Sequence, residues 1–527
     1  MKVLVAEKIA QSGIDLLKDQ FDVDIKTDLT PDSLLECIGD YDAIIVRSAT
    51  KVTKEVLDRG VNLKVVGRAG NGVDNIDLEA ATLKGIIVVN TPTSNNISTA
   101  EHTIALMLAL ARKIPQANMS LKENRWDRGK YKGTELFGKT VAVMGLGRIG
   151  SIVATRLRAF GMKVIGYDPY INDERFEKIG VEKVTKVEEI MKRADFITLH
   201  LPKTDQTLGI IGKEELDMAK PNLMIVNCAR GGLVDEEGLF DALKEKKIAG
   251  AAMDVYKTEP KDGSFDHPFL QLDNIVLTPH LGASTMEAQE NVGIAIAEQV
   301  SQALKGNIVS AVNLSGLRVH DMDILSPYLK MAEILGKLYY AIDDEPIKKV
   351  EITYSGDIIE QETKLITLSY LSGLLNGIVE ERVNFVNAEF IVKNMGIEVV
   401  EGVTRKLEHY TNLVSLKIYT KKGCTTFAGT IFGKEEIRIV NFFGYDVDIV
   451  PTPHILVIKN IDKPGVIGQI GTIIGLSGIN IASMKVSRIK GNEEALMILN
   501  VDNALSKENI KMMENVDGIL KVCQINL

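Results

Sequence analysis

The 527-residue chain has no surplus of positive charge. Its 62 Lys and Arg stand against 71 Asp and Glu, leaving a formal net charge of −9 at pH 7. That balance argues against nucleic acid or an anionic membrane as a general partner, because both are held chiefly by cationic patches. Cysteine is scarce: Cys37, Cys228, Cys424 and Cys523 lie far apart and show no metal-ligand spacing. No metal centre or disulfide framework is expected, and a reducing, cytoplasmic setting is the default. Long apolar runs are missing too. The most apolar helical stretch, TIALMLALA at 103–111, falls far short of a membrane span. The opening MKVLVAEKIA reads as a strand leading into a helix and not as a signal peptide. With 45% hydrophobic and 25% charged residues, the composition is that of a soluble globular protein long enough for three or four domains.

Glycine is where the informative pattern lies. The stretch GTELFGKTVAVMGLGRIG, residues 133–150, satisfies two nucleotide-binding patterns at once. Gly133, Gly138, Lys139 and Thr140 fit the phosphate loop, whereas Gly145, Gly147 and Gly150 fit the dinucleotide fingerprint. A phosphate loop needs a strand before it and a helix starting at its Lys-Thr. WDRGKYK before Gly133 has no strand character, and Thr140 opens the apolar run TVAVM. The dinucleotide pattern has the required context: a strand at 140–144, a glycine turn, the amphipathic SIVATRLRAF, and a second strand KVIGYD ending in Asp168. An acid at that position can bond the ribose 2′-hydroxyl and would repel a 2′-phosphate, which favours NAD. Pyrophosphate is expected on the amides of Arg148 and Ile149.

Along the chain four regions emerge. Residues 1–90 alternate short apolar runs with helical patterns, the signature of a small α/β domain with a mostly parallel sheet. A long helical segment follows from about 98, capped by Ser98 or Thr99. Strands near VAVM, KVIGYD, FITLHL, LMIVNCA, AGAAMDV and NIVLTP then outline a cofactor domain, and a helix within 280–306 returns to the first domain. Region 318–450 begins with a helix and alternates strand and helix patterns. Residues 453–527 read as βαββαβ, a ferredoxin-like unit. The expected fold class is α/β: two Rossmann-like doubly wound domains (1–97 with 280–306, and 98–279), an intervening α+β domain at 316–450, and the ferredoxin-like unit at 453–527.

Hydride removal from an alcohol carbon needs a base, a cation for the neighbouring carboxylate, and a group that orients the base. Ligands of open α/β sheets bind at strand C-termini. Arg230, Glu259 and His280 each follow such a strand. A lone loop Arg is usually a solvated charge and a lone His is more often structural, but three at successive strand ends form a constellation.

GLGRIG, YDP, NCARGGLVDEEGL, AAMDVYKTEP and NIVLTPHLGAST together resemble the D-isomer-specific 2-hydroxyacid dehydrogenases over residues 1–310. That resemblance implies that His280 is the acid/base, that Glu259 pairs with it and strengthens it, and that Arg230 holds the substrate carboxylate. It also implies that Asp254 bonds the nicotinamide carboxamide and that His200 and Pro202 line the adenosine side, although His200 could equally serve packing. Cys228, Ala229, Gly282 and Ala283 complete the implied NAD contacts. RSAT at 47–50, VGRAGNGVDNID at 66–77 and DKPGVIGQIGTIIGLSGINIASM resemble the long-form branch that oxidises D-3-phosphoglycerate, with an intervening domain and a C-terminal ACT domain. Arg47, Ser48, Arg68, Asn71 and Gly72 are the implied substrate residues, although Arg47 could simply end a strand. Arg128, Lys130 and Lys132 could add phosphate contacts from a neighbouring subunit or form a solvated loop. Asn460, Asp462 and Asn480 fall where ACT domains bind an effector, here L-serine, between paired copies. Asn and Asp beside Pro464–Gly465 also suit an ordinary turn. A homo-oligomer, dimer or tetramer, is expected. Dehydrogenases of glycerate or lactate, and NAD-sensing corepressors that bind other proteins, are the alternative functions.

Overall fold

Five Val- and Ile-rich runs build the first lobe. Strands Asp22–Ile25, Lys2–Val5, Ala43–Val46, Val65–Arg68 and Ile87–Asn90 lie side by side in that order, all parallel. Ala43–Val46 is buried at every position, as expected where both faces of a parallel sheet are covered. The chain reverses direction across the sheet between Lys2–Val5 and Ala43–Val46, which opens a crevice at their C-terminal ends. In this computed structural model, residues 1–260, 263–314, 322–376, 378–379, 382–405, 410–489, 491 and 493–527 are described.

The second lobe is a seven-stranded parallel sheet in the order Ile275–Leu277, Gly250–Met253, Met224–Asn227, Phe196–Leu199, Thr140–Met144, Lys163–Tyr167, Glu182–Lys183. Its reversal falls between Thr140–Met144 and Phe196–Leu199. Separate apolar clusters cover its two faces, one around Ile225 and Leu239, the other around Val143 and Leu157.

Helix Asn96–Arg112 joins the lobes. Asn95 is its N-cap residue, so neither Ser98 nor Thr99 caps it; both sit inside the first turn, and Ser98 Oγ donates to the Gly282 carbonyl at 2.8 Å. Lys113 adopts a left-handed conformation that ends this helix, and Ile114–Lys122 follows with proline in its first turn. Helix Met286–Leu304 returns to pack on Gln11–Lys18 and on strand Val65–Arg68 of the first lobe.

The third unit sets helices Met322–Ile342 and Thr363–Leu375 against a six-stranded sheet in which only Glu398–Thr404 and Lys349–Gly356 pair in parallel. Residue 316, the expected start of this unit, lies outside the described residues. The final unit runs strand His454–Ile461, helix Val466–Leu476, strands Ile481–Arg488 and Glu494–Val501, helix Lys507–Glu514 and strand Ile519–Asn526, an antiparallel βαββαβ sheet. One continuous apolar cluster runs from the first lobe through Met322–Ile342 into one face of this last sheet. No helix among the described residues is long and apolar enough to cross a membrane.

Candidate active site

The overlapping glycine motifs are separated by backbone geometry. Lys139 and Thr140 lead into strand Thr140–Met144, so no helix starts where a phosphate loop requires one. The turn after that strand is built from close approaches. Gly145 has φ +95°, and a Cβ at Gly150 would lie 1.9 Å from the Gly145 carbonyl oxygen. A Cβ at Gly147 would meet nothing within 4 Å, so this glycine faces open space at the start of helix Arg148–Ala159. The amides of Arg148 and Ile149 belong to that helix's first turn and have no acceptor within the helix. Asp168 Oδ2 accepts the Leu146 N–H at 2.8 Å and Oδ1 the Tyr170 N–H at 3.0 Å, fixing the acid beside the turn. A cavity of about 550 Å³ lies alongside, lined by Gly147, Arg148, Tyr170, Asn172 and Arg175. Open space above Gly147, first-turn amides and an adjacent carboxylate fit the pyrophosphate and ribose of NAD.

His200 packs against the same turn: a Cβ at Gly145 would touch its carbonyl at 2.5 Å. Burial pushes its pKa down to about 4, so the ring is neutral, and Nε2 pairs with Thr198 Oγ1 at 3.0 Å. Pro202 is exposed, its carbonyl accepting from Thr207 Oγ1 at 2.6 Å. Cys228 is buried, and its thiol is pushed up to about 12, far from a reactive thiolate.

Arg230, Glu259 and His280 follow three adjacent strands, Met224–Asn227, Gly250–Met253 and Ile275–Leu277. His280 Nδ1 lies 2.8 Å from Glu259 Oε2, and Glu259 Oε1 accepts the Tyr256 N–H at 3.2 Å. Burial alone would raise the Glu259 pKa; the bonds from His280 and Tyr256 outweigh it and hold the carboxyl below its usual value. The loop carrying Arg230 is held by buried Asn227, whose Nδ2 donates to the Arg230 carbonyl at 3.0 Å while Oδ1 accepts the Ala229 N–H at 3.0 Å.

Three guanidinium groups converge across the lobe boundary. Arg68 is largely buried and its Nε has no hydrogen-bond partner. Its pKa falls to about 10, first through desolvation and then through repulsion by Arg230 and Arg47. Arg230 Nε pairs with Asp74 at 3.2 Å, and a Cβ at Gly72 would sit 2.0 Å from Arg230 Nη2. The Asn71 carbonyl is fixed by Asn90 Nδ2 at 2.6 Å. Two residues not expected from the sequence clamp the 47–50 loop. Glu7 accepts N–H bonds from Arg47, Thr50 and Ala49 at 2.8, 2.9 and 3.3 Å, and Asn75 Nδ2 bridges the carbonyls of Arg47 and Thr50 at 2.9 and 2.7 Å. Glu7 was legible in one respect: it follows strand Lys2–Val5 at the crevice, where an acid is conspicuous.

Asp254 is bound tightly by its own chain. Its side chain is wholly buried, with Oδ1 bonded to Thr278 Oγ1 at 2.6 Å and the Leu281 N–H at 2.7 Å, and Oδ2 to the Gly282 N–H at 2.9 Å. A buried carboxylate must be matched by donors, and the loop after it supplies them. Arg128, Lys130 and Lys132 form an exposed stretch in which Lys130 pairs with Asp127 at 3.1 Å.

In the last unit Asn460 is buried, and its Oδ1 has no partner. Asp462 pairs with Arg488 at 2.9 Å, and Asn480 Nδ2 donates to Asp502 at 3.2 Å. Asn460 pairs with Ala495, and Ile481, next to Asn480, pairs with Val501. Asn460 and Asn480 therefore sit at opposite ends of the sheet within one chain, roughly 20 Å apart at strand rise.

Known proteins agree on the class. Residues 104–282 match the model described as D-isomer specific 2-hydroxyacid dehydrogenase, NAD binding domain. Residues 324–443 match the D-3-phosphoglycerate dehydrogenase intervening domain, and 454–511 the ACT domain. The D-3-phosphoglycerate dehydrogenase of Methanocaldococcus jannaschii is 46% identical over all of both chains. That of Bacillus subtilis is 42% identical, covering all of this chain and 99% of its own. Among solved structures, a glyoxylate reductase from Paecilomyes thermophila is 30% identical with a TM-score of 0.55, covering 59% of this chain and 98% of its own. At that level the chain is a member of the D-2-hydroxyacid dehydrogenase class. Full-length identity and the intervening and ACT units narrow it further: the chain belongs to the D-3-phosphoglycerate dehydrogenase family.

Proposed function

We propose that the chain oxidises the C2 hydroxyl of D-3-phosphoglycerate to give 3-phosphohydroxypyruvate, the first step of L-serine biosynthesis, in the cytoplasm. The observation that carries this reading is the meeting of Arg47 and Arg68 with Arg230 at the lobe boundary. One guanidinium suffices for a carboxylate; a largely buried second, whose Nε is unbonded and whose Nη1 meets a backbone carbonyl (Ala69, 3.3 Å), and a neighbouring third call for a further anionic group on the substrate. Residues 1–97 with 280–306 would hold the phosphate end and 98–279 the dinucleotide, with Ser48, Asn71 and Gly72 lining the substrate. Arg230 would grip the carboxylate in place of Asp74.

Bound NAD supplies the hydride acceptor. The rest is proton management by the chain. With Nδ1–H directed to Glu259, His280 presents an unprotonated Nε2, the acceptor needed for the C2 hydroxyl proton. As the proton arrives, the Glu259 carboxylate stabilises the imidazolium. Cys228, Ala229, Gly282 and Ala283 would wall the nicotinamide side.

Absorbance at the NADH band tests the reading. Turnover with 3-phosphoglycerate should exceed that with glycerate or lactate by at least about a hundredfold, because clustered cations left without an anion disfavour substrates lacking the phosphate. Equal turnover with glycerate would refute the phosphate assignment.

L-Serine as an inhibitor acting at Asn460, Asp462 and Asn480 is the regulatory part of the reading. The unpartnered Asn460 Oδ1 supports it, and so does strand Ile481–Arg488, an edge strand with residues 482–485 exposed. Antiparallel pairing of that edge with a second copy would bring Asn480 of the partner subunit towards Asn460, making the homo-oligomer a condition of effector binding.

A further inference from the structure

Behind His280 lies a hydrogen-bonded clamp that the reaction itself does not use. The Asp254 main-chain carbonyl accepts the His280 N–H at 2.9 Å, and its carboxylate accepts the next two amides, Leu281 at 2.7 Å and Gly282 at 2.9 Å. These bonds matter because His280 has φ +55°, a left-handed conformation that a non-glycine residue keeps only when its surroundings over-determine it. Thr278 Oγ1 donates to the same carboxylate at 2.6 Å.

All of those donors belong to residues 278–282, the segment being held. They tie Asp254 to the loop but to nothing beyond it. The exception is His102, whose Nε2 lies 3.2 Å from Asp254 Oδ1 and 3.4 Å from Thr278 Oγ1. His102 sits on helix Asn96–Arg112, which joins the lobes, one turn after Ser98, whose hydroxyl donates to the Gly282 carbonyl at 2.8 Å. The helix thus holds the loop twice, directly through Ser98 and through Asp254 by His102.

We infer that His102 is a positioning residue for the dehydrogenase reaction: by donating Nε2–H to buried Asp254, it anchors the left-handed backbone at His280 to the helix joining the lobes. It acts through Asp254, so its loss should misplace the base without weakening substrate capture. The inference rests on the reading of His280 as the acid/base, and its structural half can be measured without any turnover.

Full-length His102→Leu, His102→Asn and His102→Gln are compared by hydrogen–deuterium exchange without ligands and by steady-state kinetics. In His102→Leu the amides of 280–282 should exchange at least about tenfold faster, and kcat should fall about 10- to 100-fold with KM for 3-phosphoglycerate within about twofold. His102→Gln, whose amide N–H can reach the carboxylate, should restore exchange and kcat to within about threefold. Should Leu prevent folding, His102→Asn, polar but too short to reach, carries the same expectation. Wild-type exchange in both His102→Leu and His102→Asn would overturn the inference. So would a His102→Gln protein as impaired as His102→Leu, since the ring would then act by shape alone. A wild-type protein without turnover on 3-phosphoglycerate would instead overturn the substrate reading, leaving the exchange result to judge the clamp.

Discussion

Arg68 is the residue whose placement is hardest to explain by stability. A guanidinium pushed from its usual value to about 10 by burial and by two neighbouring cations is disfavoured in the folded chain, by on the order of 3 kcal/mol. Replacing it with methionine should therefore raise the ligand-free Tm, by roughly 2–4 °C, while sharply raising KM for the phosphorylated substrate. A lower Tm in Arg68→Met would show that the bond from Arg68 Nη1 to the Ala69 carbonyl and the packing of its stem outweigh the cost of burying the charge. His280→Asn should lower kcat by about 10²- to 10⁴-fold with NADH binding intact, and unchanged turnover would refute its acid/base role. Glu259 supplies a pH signature. Its folded pKa lies below the unfolded value, so its stabilising contribution is present above pH about 4.5 and disappears as pH falls through the folded value. Urea unfolding of wild type and Glu259→Gln should differ at pH 7 and converge at strongly acidic pH; a constant gap would exclude the linkage. The placement of Arg230, Glu259 and His280 after three adjacent strands was legible because each follows an apolar run in the sequence. The partners of Glu7, Asn75 and His102 were not, because each bonds a residue distant in the chain, 40 residues for Glu7–Arg47, 28 for Asn75–Arg47 and 152 for His102–Asp254.

The glycine turn shows how one element separates folding from binding. A Cβ at Gly150 collides with the Gly145 carbonyl at 1.9 Å, whereas one at Gly147 meets nothing. Gly150→Ala should thus lower Tm and NAD affinity together. Gly147→Ala should leave Tm unchanged yet weaken NAD binding tenfold or more, about 1.4 kcal/mol, because the added methyl fills space the pyrophosphate needs. Calorimetry with NAD and thermal melts on both variants check this, and undiminished NAD affinity in Gly147→Ala would remove the pyrophosphate from that position. The strands of both lobes were readable as short apolar runs, except Glu182–Lys183, which is charged and exposed. The start of helix Asn96–Arg112 was misread because Ser98 and Thr99 look like caps; Ser98 is instead drawn to Gly282, a contact invisible until the chain has folded.

Over the whole molecule, the proposed effector site would depend on how copies assemble. Because Asn460 and Asn480 lie at opposite ends of one sheet, an effector can touch both only across two subunits. Asn460→Ala and Asn480→Ala should each abolish serine heat in calorimetry on the full chain. Co-assembled, the two variants should recover one intact site per pair, since one contributes Asn480 and the other Asn460. No recovery in verified hetero-oligomers would contradict the shared site.

By itself the sequence determined the order of most elements and the dinucleotide turn, because those depend on local periodicity and short spacings, while its motifs carried the resemblance to the branch of the family. The tertiary structure decided what distance in the chain conceals. Reversals in two parallel sheets bring Glu7 to Arg47 and Gly145 to His200, and the meeting of the lobes places Arg68 near Arg230. Burial surrounds the Asp254 carboxylate with donors from Thr278, Leu281 and Gly282, since a carboxylate removed from water must be matched by donors.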